Sequence, residues 1–521
     1  DLQNFYGFVK LPKKISNNFS EVWQDLGNKY KSNPMICWIQ DSSELMFNDV
    51  DFLVNKTRIA LRAQNINKDS RIGIASGHHP AALILCWACW LEGICVVVFD
   101  ENQSPEEIYS LRQNSKVDWL FTDNFSLFKS KNSNLVFFDN AEEDNSPLSE
   151  EHLLFSVFLN SDSDEILSDT KINPNTDAVI LFSSGSSGKS KSVVLSQRAL
   201  CVSGFNMVST FNWKNEKLLS LGPFSMMSGL RNSMVASLVS ASTIILPGRE
   251  TLMPINAWQQ AQDLKVTVIT TVPSWLEILL TAGSRLSISE SVIQVLVTGS
   301  PLKENVKNKF TAKTNISIED YYGLTETGGL CLATNSSFDE DTQKIKEGNC
   351  IGYPVGALIH IVDEKGKLVG SNQTGLLKVY SNQLMDRYMD NPDDSKKAFE
   401  NGWFLTGDLA YWDETGRVYL KGRNDDLIKL RDGTKLYPNS LERLLTELPG
   451  VKDAAVTISE PFNSLLGLVV TDKPTEELLN ELQLKHPNIK LPDKLKSVVS
   501  LPYNRNGKLK RNLLHNLANE K

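Results

Sequence analysis

Short runs of apolar, β-branched residues alternate with longer stretches of helical pattern between about residues 70 and 325. The runs begin at Arg71, Ile94, Asp177, Val266 and Val292. Each run is apolar at nearly every position, which is typical of strands buried on both faces of a parallel sheet. The repeated order of strand, helix and strand predicts a doubly wound α/β architecture for a large N-terminal domain.

A different pattern follows after about residue 345, where the runs are shorter and separated by turns. They begin at Leu358, Gly375 and Gly416, and the segments 364–367 (EKGK) and 414–417 (ETGR) are predicted to be hairpin turns. These runs predict antiparallel strands, which we assign to a small β-barrel-like subdomain at the end of the large domain.

The last hundred or so residues combine a strand pattern from Ala454, a helical pattern from Thr475 and a basic tail. The polar triplet Asn424-Asp425-Asp426 precedes them. We therefore predict two domains, residues 1–423 and a small α+β domain over residues 424–521.

The length and the charge balance narrow the class of protein. A chain of 521 residues is too long for a single compact core. The net charge of −8 argues against a general nucleic-acid surface. The apolar stretch 80–99 is interrupted at Glu92-Gly93, so it predicts a buried helix running into a buried strand and not a membrane span.

The cysteines and the first residues indicate the compartment. Seven cysteines are scattered along the chain, and Cys86 and Cys89 lie in an apolar run where core packing is the simpler interpretation. The first residues contain no apolar segment of the kind that opens a secretory signal. These features predict a cytoplasmic protein with reduced thiols.

One segment rich in serine, glycine and lysine follows the strand pattern at Asp177 and comes shortly before a helix near Ser196: Ser183-Ser184-Gly185-Ser186-Ser187-Gly188-Lys189-Ser190-Lys191. Small residues let a backbone approach phosphate closely, and lysines supply positive charge. The Walker pattern requires glycine at position 183, which is serine here, so a P-loop NTPase fits poorly. A flexible loop without a ligand is the other alternative.

Further along the chain, three more segments combine turns with charged side chains. The segment Tyr321–Thr327 (YYGLTET) offers aromatic rings for a purine, a hydroxyl for phosphate and a carboxylate for Mg²⁺. Asp408 follows a turn and suits ribose hydroxyls, and Arg423 comes after it. Lys508 lies in the basic segment 502–511. Each segment alone is also compatible with a hairpin turn or a surface charge.

Together and in this order, the four segments resemble the adenylate-forming superfamily, from about residue 20 to the end of the chain. This group includes acyl-CoA synthetases, the adenylation domains of peptide synthetases and beetle luciferase. The resemblance implies ATP and Mg²⁺ as cofactors, a small carboxylic acid as substrate and a thiol as acceptor, with no nucleic-acid partner. It also implies that the C-terminal domain is mobile.

The family pattern [ST]SG[ST]TGxPKG falls on residues 183–192, with departures at Ser190 and Ser192, where the family has proline and glycine. Serine at position 192 adds a Cβ where we expect the backbone to need freedom. The resemblance implies nucleotide contacts at Ser183, Ser184, Gly185, Ser186, Ser187, Gly188, Lys191, Gly299, Ser300, Pro301, Asp320, Tyr321, Tyr322, Gly323, Asp408 and Arg423.

The resemblance also implies catalytic roles. Thr325 should contact the α-phosphate, Glu326 should hold Mg²⁺, and Lys508 should bridge the acid and the α-phosphate. In the family, the C-terminal domain turns about a hinge, which corresponds to Asp425, between two half-reactions. The strand around Lys429 and Gly433 then replaces Lys508 at the site.

The segment 223–230 (PFSMMSGL) matches the family pattern PLFHxxGL at the acid pocket, which would include Met226, Met227, Ser228 and Gly229. Met226 stands where the family has histidine. Met227 stands where amino-acid-activating members have aspartate, and a buried ammonium without that partner is costly. The two methionines favour a fatty or aryl acid, and simple core packing is the alternative.

Three functions remain open from the sequence. The first is an acid–thiol ligase that transfers the acyl group to CoA or to the phosphopantetheine of an acyl or peptidyl carrier protein. The second is a freestanding amino-acid adenylation enzyme of a peptide pathway. The third is a nucleotide-binding protein without catalysis, which the departures at Ser190, Ser192 and Met226 suggest.

Overall fold

The structure is a computed structural model that describes residues 15–30, 32–124, 127, 134–138, 153–160, 171–184, 190–248, 253–334, 349–430, 435–459, 464–503 and 509–519. The chain divides into two compact units. The first comprises residues 1–343, 352–359 and 379–404, and the second comprises residues 344–351, 360–378 and 405–521. The boundary expected at residue 423 stays a prediction.

Helices occur in both units of the described chain. In chain order they are α1 (Phe19–Trp23), α2 (Leu26–Tyr30), α3 (Phe47–Ala63), α4 (Pro80–Leu91), α5 (Pro105–Asn114), α6 (Phe155–Phe158), α7 (Gln197–Phe211), α8 (Met227–Arg231), α9 (Ser237–Ser240), α10 (Pro254–Asp263), α11 (Pro273–Leu280), α12 (Glu304–Thr314), α13 (Pro392–Ala398), α14 (Pro438–Thr446), α15 (Thr475–Lys485) and α16 (Leu514–Asn519). A π-helical turn, Asn232–Ala236, joins α8 to α9.

The strands are more numerous and mostly short. In chain order they are β1 (Pro34–Trp38), β2 (Ser43–Met46), β3 (Arg71–Ala75), β4 (Cys95–Val98), β5 (Trp119–Thr122), β6 (Leu135–Phe137), β7 (Leu153–Leu154), β8 (Asp177–Ser184), β9 (Ser190–Ser196), β10 (Lys217–Ser220), β11 (Thr243–Leu246), β12 (Val268–Thr271), β13 (Gln294–Val297), β14 (Ile318–Leu324), β15 (Gly329–Ala333), β16 (Asn349–Pro354), β17 (Leu358–Val362), β18 (Gly375–Tyr380), β19 (Arg387–Tyr388), β20 (Phe399–Glu400), β21 (Trp403–Trp412), β22 (Val418–Arg423), β23 (Ile428–Lys429), β24 (Lys435–Leu436), β25 (Val451–Ser459), β26 (Ser464–Thr471) and β27 (Lys494–Ser497).

Two largely parallel sheets form the first unit. One has the order β14-β13-β12-β10-β11-β1, with β2 antiparallel at the β1 edge and β15 and β16 antiparallel beyond β14. The other has the order β8-β4-β3-β5-β6-β7, with β9 and β19 antiparallel beyond β8. The predicted α/β class with doubly wound sheets is confirmed.

The apolar helix α4 lies in the main core of the first unit. Every residue of α4 is buried, and the indole nitrogens of Trp87 and Trp90 donate to the carbonyls of Met234 and Ala178 at 2.9 Å. At about 1.5 Å per residue, α4 is about 18 Å long. The predicted helix followed by the strand β4 is confirmed, and no helix among the described residues is both long and apolar enough to cross a membrane.

The second unit combines mostly antiparallel strands with α14, α15 and α16. Strands β21 and β22 join through a turn at Asp413–Arg417, and a bridge between Val362 and Leu368 closes the turn that contains Lys365. Both predicted hairpin turns are therefore confirmed. Strands β25, β26 and β27 form a separate sheet, against which α14 packs through a cluster that includes Leu441, Leu445 and Leu465.

Candidate active site

The first part of the site lies where the parallel strands β13 and β14 end. Ligands of open α/β sheets bind at the carboxyl ends of such strands. Gly299 follows β13 with a φ of 96°, a conformation that favours glycine. A Cβ at this position would lie 3.6 Å from Val272 Cγ1 and 4.0 Å from Met226 Cε, so the segment 299–301 adjoins the predicted acid pocket.

Asp320, in β14, places a carboxylate oxygen where it has no partner. The Oδ2 atom lies 3.5 Å from Lys307 Nζ, but Oδ1 is buried without a hydrogen bond. Burial raises the pKa of Asp320 to about 6 against the opposing effect of Lys307. An unpartnered acceptor beside the end of β13 suits the amino group of adenine.

The two tyrosines of β14 point in opposite directions. Tyr321 is buried, its hydroxyl accepts from Arg231 Nη2 at 3.0 Å, and the guanidinium lies 5.2 Å from the centre of its ring. Tyr322 is half-buried on the other face of the strand. Of the two rings, that of Tyr322 is the more exposed.

The hairpin between β14 and β15 presents Thr325 and Glu326 at its turn. The Thr327 hydroxyl holds this turn, because it accepts from the Leu324 amide at 2.8 Å and donates to the Gly329 carbonyl at 2.8 Å. A Cβ at Gly323 would collide with the Gly329 carbonyl oxygen. Gly323 therefore allows the two strands to approach closely, and its function in the hairpin is structural.

Two hydroxyl groups hold the Glu326 carboxylate. Ser183 Oγ and the Tyr388 hydroxyl donate to its Oε1 at 2.8 Å and 3.2 Å. No lysine or arginine pairs with Glu326 among the described residues. The same part of the chain contains no group of three or more acidic, histidine or cysteine side chains that could enclose a metal. One oriented carboxylate without a protein cage suits Mg²⁺, which is commonly held by one or two carboxylates together with substrate phosphates.

The segment 183–191 joins two antiparallel strands. Ser183 pairs with Lys191 across β8 and β9, and α7 begins only at Gln197 with Ser196 as its cap. This arrangement differs from a Walker loop, which leads directly into a helix. Residues 185–189, and with them the predicted contacts at Gly185, Ser186, Ser187 and Gly188, lie outside the described residues.

The two departures from the family pattern fall in β9. Ser190 Oγ lies 3.3 Å from the Ser183 carbonyl, and Ser192 pairs with Phe182 in an extended strand. The Ser192 carbonyl also accepts from the Met389 amide at 2.8 Å. Position 192 therefore needs no conformational freedom peculiar to glycine, and the expectation that its Cβ would matter was wrong.

Lys191 is held at the end of this hairpin. Its Nζ lies 2.9 Å from Asp394 Oδ2 and 4.8 Å from the centre of the Tyr388 ring. The hydrogen bond from Lys191 lowers the pKa of Asp394. Tyr388 thus contacts both Lys191 and Glu326, and it links the two motifs that the sequence placed far apart.

The predicted acid pocket surrounds the start of α8. Met226 precedes the helix, and Met227 is buried beside Gly329. A Cβ at Gly229 would collide with the carbonyl oxygens of Gly222 and Pro223, so glycine permits close packing there. Ser228 is half-buried on α8.

In the second unit, Asp408 and Arg423 face each other across β21 and β22. Arg423 Nη1 lies 3.2 Å from Asp408 Oδ1, and it donates to the Thr406 carbonyl at 2.6 Å. The Thr406 hydroxyl accepts from the Asp408 amide at 3.0 Å. Gly407 has a φ of 73°, and a Cβ there would lie 2.7 Å from Arg423 Nη2. The turn therefore fixes a buried carboxylate beside a guanidinium.

The remaining catalytic candidates are also in the second unit. Asp425 and Lys429 are exposed. Gly433 and Lys508 lie outside the described residues, but a bridge between Tyr503 and Leu509 brackets the segment that contains Lys508. Arg511 donates to Asp426 Oδ2 at 3.0 Å and to both carboxylate oxygens of Glu442 at 2.8 Å.

The sequence did not reveal Tyr388, Asp394, Arg231 or Arg511 as residues near the candidate groups. Tyr388 and Asp394 belong to no motif that we recognised, and only the folded sheet brings them to Glu326 and Lys191. Arg231 directly follows the segment 223–230, so a charged residue beside an apolar motif was the available signal. Arg511 lies three positions after Lys508, at the end of the basic segment 502–511, in which only Lys508 was assigned a role.

Comparisons with known proteins identify relatives of this chain. Among curated proteins, an indoleacetate–CoA ligase of Aromatoleum aromaticum is 25% identical over 376 residues, covering 70% of this chain and 72% of that protein. A 2-succinylbenzoate–CoA ligase of Staphylococcus aureus is 25% identical over 469 residues, covering 86% and 91%.

Solved structures show the same fold. A benzoate CoA ligase from Burkholderia xenovorans superposes with a TM-score of 0.80 at 20% identity, covering 96% of this chain and 99% of that one. ATP-bound MatB from Rhodopseudomonas palustris gives a TM-score of 0.81 at 20% identity, covering 96% and 98%. At this level of identity the likeness establishes the fold alone.

The family match is the broader finding. The family described as "AMP-binding enzyme" matches residues 23–389, which is more than half of the chain and includes the hairpin at 183–191, Asp320 and Glu326. The resemblance to adenylate-forming enzymes is confirmed, and this chain belongs to the AMP-binding enzyme family.

Proposed function

We propose that this enzyme uses ATP to convert a carboxylic acid into an acyl-adenylate, with release of pyrophosphate, and then transfers the acyl group to the thiol of CoA. The observation that carries the proposal is the 2.8 Å hydrogen bond from Ser183 to Glu326, which joins the phosphate-loop candidate to the metal-binding candidate. The names of the curated relatives, which are CoA ligases, support the choice of acceptor.

The resemblance to the family suggests which groups would recognise the nucleotide. Asp320 Oδ1 would accept from the amino group of adenine, Tyr322 would cover the ring, and the segment 299–301 would line its other side. Asp408 would accept from the ribose hydroxyls, with Arg423 holding its carboxylate in position. The hairpin at 183–191, including Lys191, would surround the phosphates.

In the first half-reaction, a carboxylate oxygen of the acid forms a bond to the α-phosphorus, and the bond from that phosphorus to the pyrophosphate oxygen breaks. Two anions must approach each other, so positive charge and hydrogen-bond donors are needed at the phosphorus. Thr325 would donate to the α-phosphate, and Lys508 would contact the acid and the α-phosphate together. Glu326 would hold Mg²⁺, which offsets phosphate charge when it is bound.

In the second half-reaction, the thiol sulfur forms a bond to the acyl carbon, AMP leaves, and the thiol proton is lost. Lys429 and Gly433 would take part in this step after a rotation of the C-terminal domain about Asp425. A hinge residue exposed to solvent can change its backbone conformation at little cost. A carrier-protein phosphopantetheine presents the same thiol and is the alternative acceptor.

Amino-acid activation is the less favoured alternative. Met227 is buried where a carboxylate would pair with the α-ammonium group. The buried cation Arg231 also lies within the same region of the chain, and it would repel an ammonium group. Both features weigh against an α-amino acid.

A pyrophosphate-release assay over fatty, aryl and dicarboxylic acids and α-amino acids tests the proposal. We expect at least one non-amino acid to drive ATP-dependent pyrophosphate release, and added CoA to convert that acid to its thioester. Lys508→Ala should abolish acid-dependent pyrophosphate release while ATP binding persists. The matched control is Lys510→Ala, which alters a lysine two positions away.

Three outcomes would contradict the proposal. Normal pyrophosphate release by Lys508→Ala would refute the role of that lysine. Release driven by α-amino acids alone would favour the peptide-pathway alternative. Measurable ATP affinity without release against the whole panel would favour a nucleotide-binding protein without catalysis.

A further inference from the structure

Arg231 is a fully buried cation at the end of α8. Its exposed fraction is 0%, and among the described residues no carboxylate pairs with its guanidinium. Nε donates to Asn232 Oδ1 at 3.0 Å and Nη2 donates to the Tyr321 hydroxyl at 3.0 Å, but Nη1 has no partner. Burial lowers the pKa of Arg231, as expected for a cation whose neighbours are neutral.

A second donor beside Arg231 is also unpartnered. The Nδ2 atom of Asn232 is buried and makes no hydrogen bond, although Oδ1 of the same amide receives Arg231 Nε. Asn232 begins the π-helical turn, and such turns occur frequently at functional sites. Buried donors are normally paired, so two neighbouring ones without acceptors indicate that an acceptor from outside the chain belongs there.

The guanidinium lies between the acid-pocket candidates and the hairpin that carries Glu326. A Cβ at Gly329 would collide with Arg231 Nη1 and would lie 3.4 Å from Met227 Cγ. Gly329 follows the turn that presents Thr325 and Glu326. Arg231, Met227 and the hairpin therefore meet at one place, and the absence of a side chain at position 329 leaves room for the guanidinium.

We propose that Arg231 and Asn232 bind a second anionic group on the acid substrate, a carboxylate or a sulfonate at the end remote from the reacting carboxylate. This inference rests on the proposed function, because it concerns the acid that the enzyme activates. Arg231 Nη1 and Asn232 Nδ2 would donate to that group, and Met226 and Met227 would contact the apolar carbons between the two anions.

The selectivity follows from the free-energy cost of leaving the donors of Arg231 and Asn232 without an acceptor. An acid with only one carboxylate leaves the two donors and the buried charge without an acceptor, whereas an acid with two anionic groups satisfies them. A site built to bond a polar group strongly rejects the analogue that lacks it. The substrate class is thus narrower than the fatty or aryl acids that the methionines alone suggest.

The test compares pairs of acids that differ only in the second group. Dicarboxylic acids of increasing length, terephthalate and 4-sulfobenzoate are each compared with the matching monocarboxylic acid, and kcat/KM for pyrophosphate release is measured. We expect a preference of about 100-fold for the best dianionic acid, equivalent to about 2.7 kcal/mol. The sulfonate distinguishes a general anion site from one specific for carboxylate.

Two variants test whether Arg231 causes the preference for dianionic acids. Arg231→Met should reduce the dianion preference to about onefold, and Arg231→Lys should restore part of it. Arg112→Met is the matched control, since Arg112 is also buried but bonds to the carbonyls of Val117 and Asp118. A dianionic substrate should also raise the melting temperature of the wild-type protein and not that of Arg231→Met.

Equal or better use of the monocarboxylic partners by the wild-type enzyme would overturn the inference, even if Arg231→Met does not fold. An unchanged preference in folded Arg231→Met would overturn it as well. In both cases pyrophosphate release persists, so the proposed function stands. Loss of release with every acid would instead refute the proposed function.

Discussion

Replacing Asp320 with asparagine should change the nucleotide affinity in a pH-dependent way. Burial raises the pKa of this carboxyl from 3.8 to about 6, which corresponds to about 3 kcal/mol lost by its charged form. The amino group of adenine would donate to the unpartnered Oδ1 and would recover part of that loss. Hydrogen bonds to charged groups contribute about 1.5–3 kcal/mol, so at pH 7.5 Asp320→Asn should weaken ATP binding about 10- to 100-fold.

The sign of the pH dependence follows from the raised pKa. Without nucleotide, the folded state binds more protons than the unfolded state between pH 3.8 and about 6. The contribution of Asp320 to the free energy of unfolding is therefore fully present below about pH 4 and is lost as the pH rises to about 6. ATP binding favours the ionised form, so the dissociation constant of the wild-type protein should rise as the pH falls below about 6.

Calorimetric titration with ATP and GTP, from pH 5 to 7.5, measures this effect. The ratio of the dissociation constants of the variant and the wild type should shrink towards low pH, and because the ratio is taken at each pH, the titration of ATP itself cancels. Lys307→Met should raise the pH at which half of the effect of Asp320 on ATP affinity is lost. The substitution removes the cation that lowers the pKa of Asp320 and so opposes the effect of burial. A ratio independent of pH, together with unchanged preference for ATP over GTP, would refute the reasoning.

Two further predictions concern Glu326, the carboxylate proposed to hold Mg²⁺, and the C-terminal segment. Glu326→Gln keeps the acceptor for its two hydroxyl donors but removes the charge, so Mg²⁺-dependent pyrophosphate release should fall about 100-fold in a kinetic assay, with little change in melting temperature. Tyr388→Phe, which removes one donor, should cost less than about 10-fold, and an equal loss in both variants would argue against the metal role. Arg511→Met breaks partly buried bonds to Asp426 and Glu442, so denaturant unfolding should show a loss of about 2–4 kcal/mol. The exposed control Arg443→Met should lose about 0.5 kcal/mol or less, and a similar loss in both variants would contradict the packing role of Arg511.

The sequence predicted five of the parallel strands of the first unit, because each of the five is a continuous apolar run. Strands β3, β4, β8, β12 and β13 are continuous apolar runs, and this signal does not depend on distant parts of the chain. The strand β9 was missed, because it begins with the polar residues Ser190 and Lys191 and continues the serine-rich loop. The strand β9 is held in an extended conformation by its pairing with β8, although its own sequence gives no strand signal.

The motif residues could be identified from the sequence, but their partners could not. Tyr388 reaches Glu326 and Asp394 reaches Lys191 only because β19 pairs with β9 and α13 follows it. The pairing state of Arg231 likewise depends on residues far along the chain, such as Tyr321. Whether a buried donor lacks a hydrogen-bond partner can be recognised only in the folded structure.

The most direct test of the central claim follows an oxygen atom. An acid that the enzyme accepts is labelled with ¹⁸O in its carboxylate, turned over with ATP and CoA, and the AMP is analysed by mass spectrometry. An acyl-adenylate requires a bond from a carboxylate oxygen to the α-phosphorus, so each AMP should carry one labelled oxygen. AMP without label, formed together with the thioester, would contradict the account.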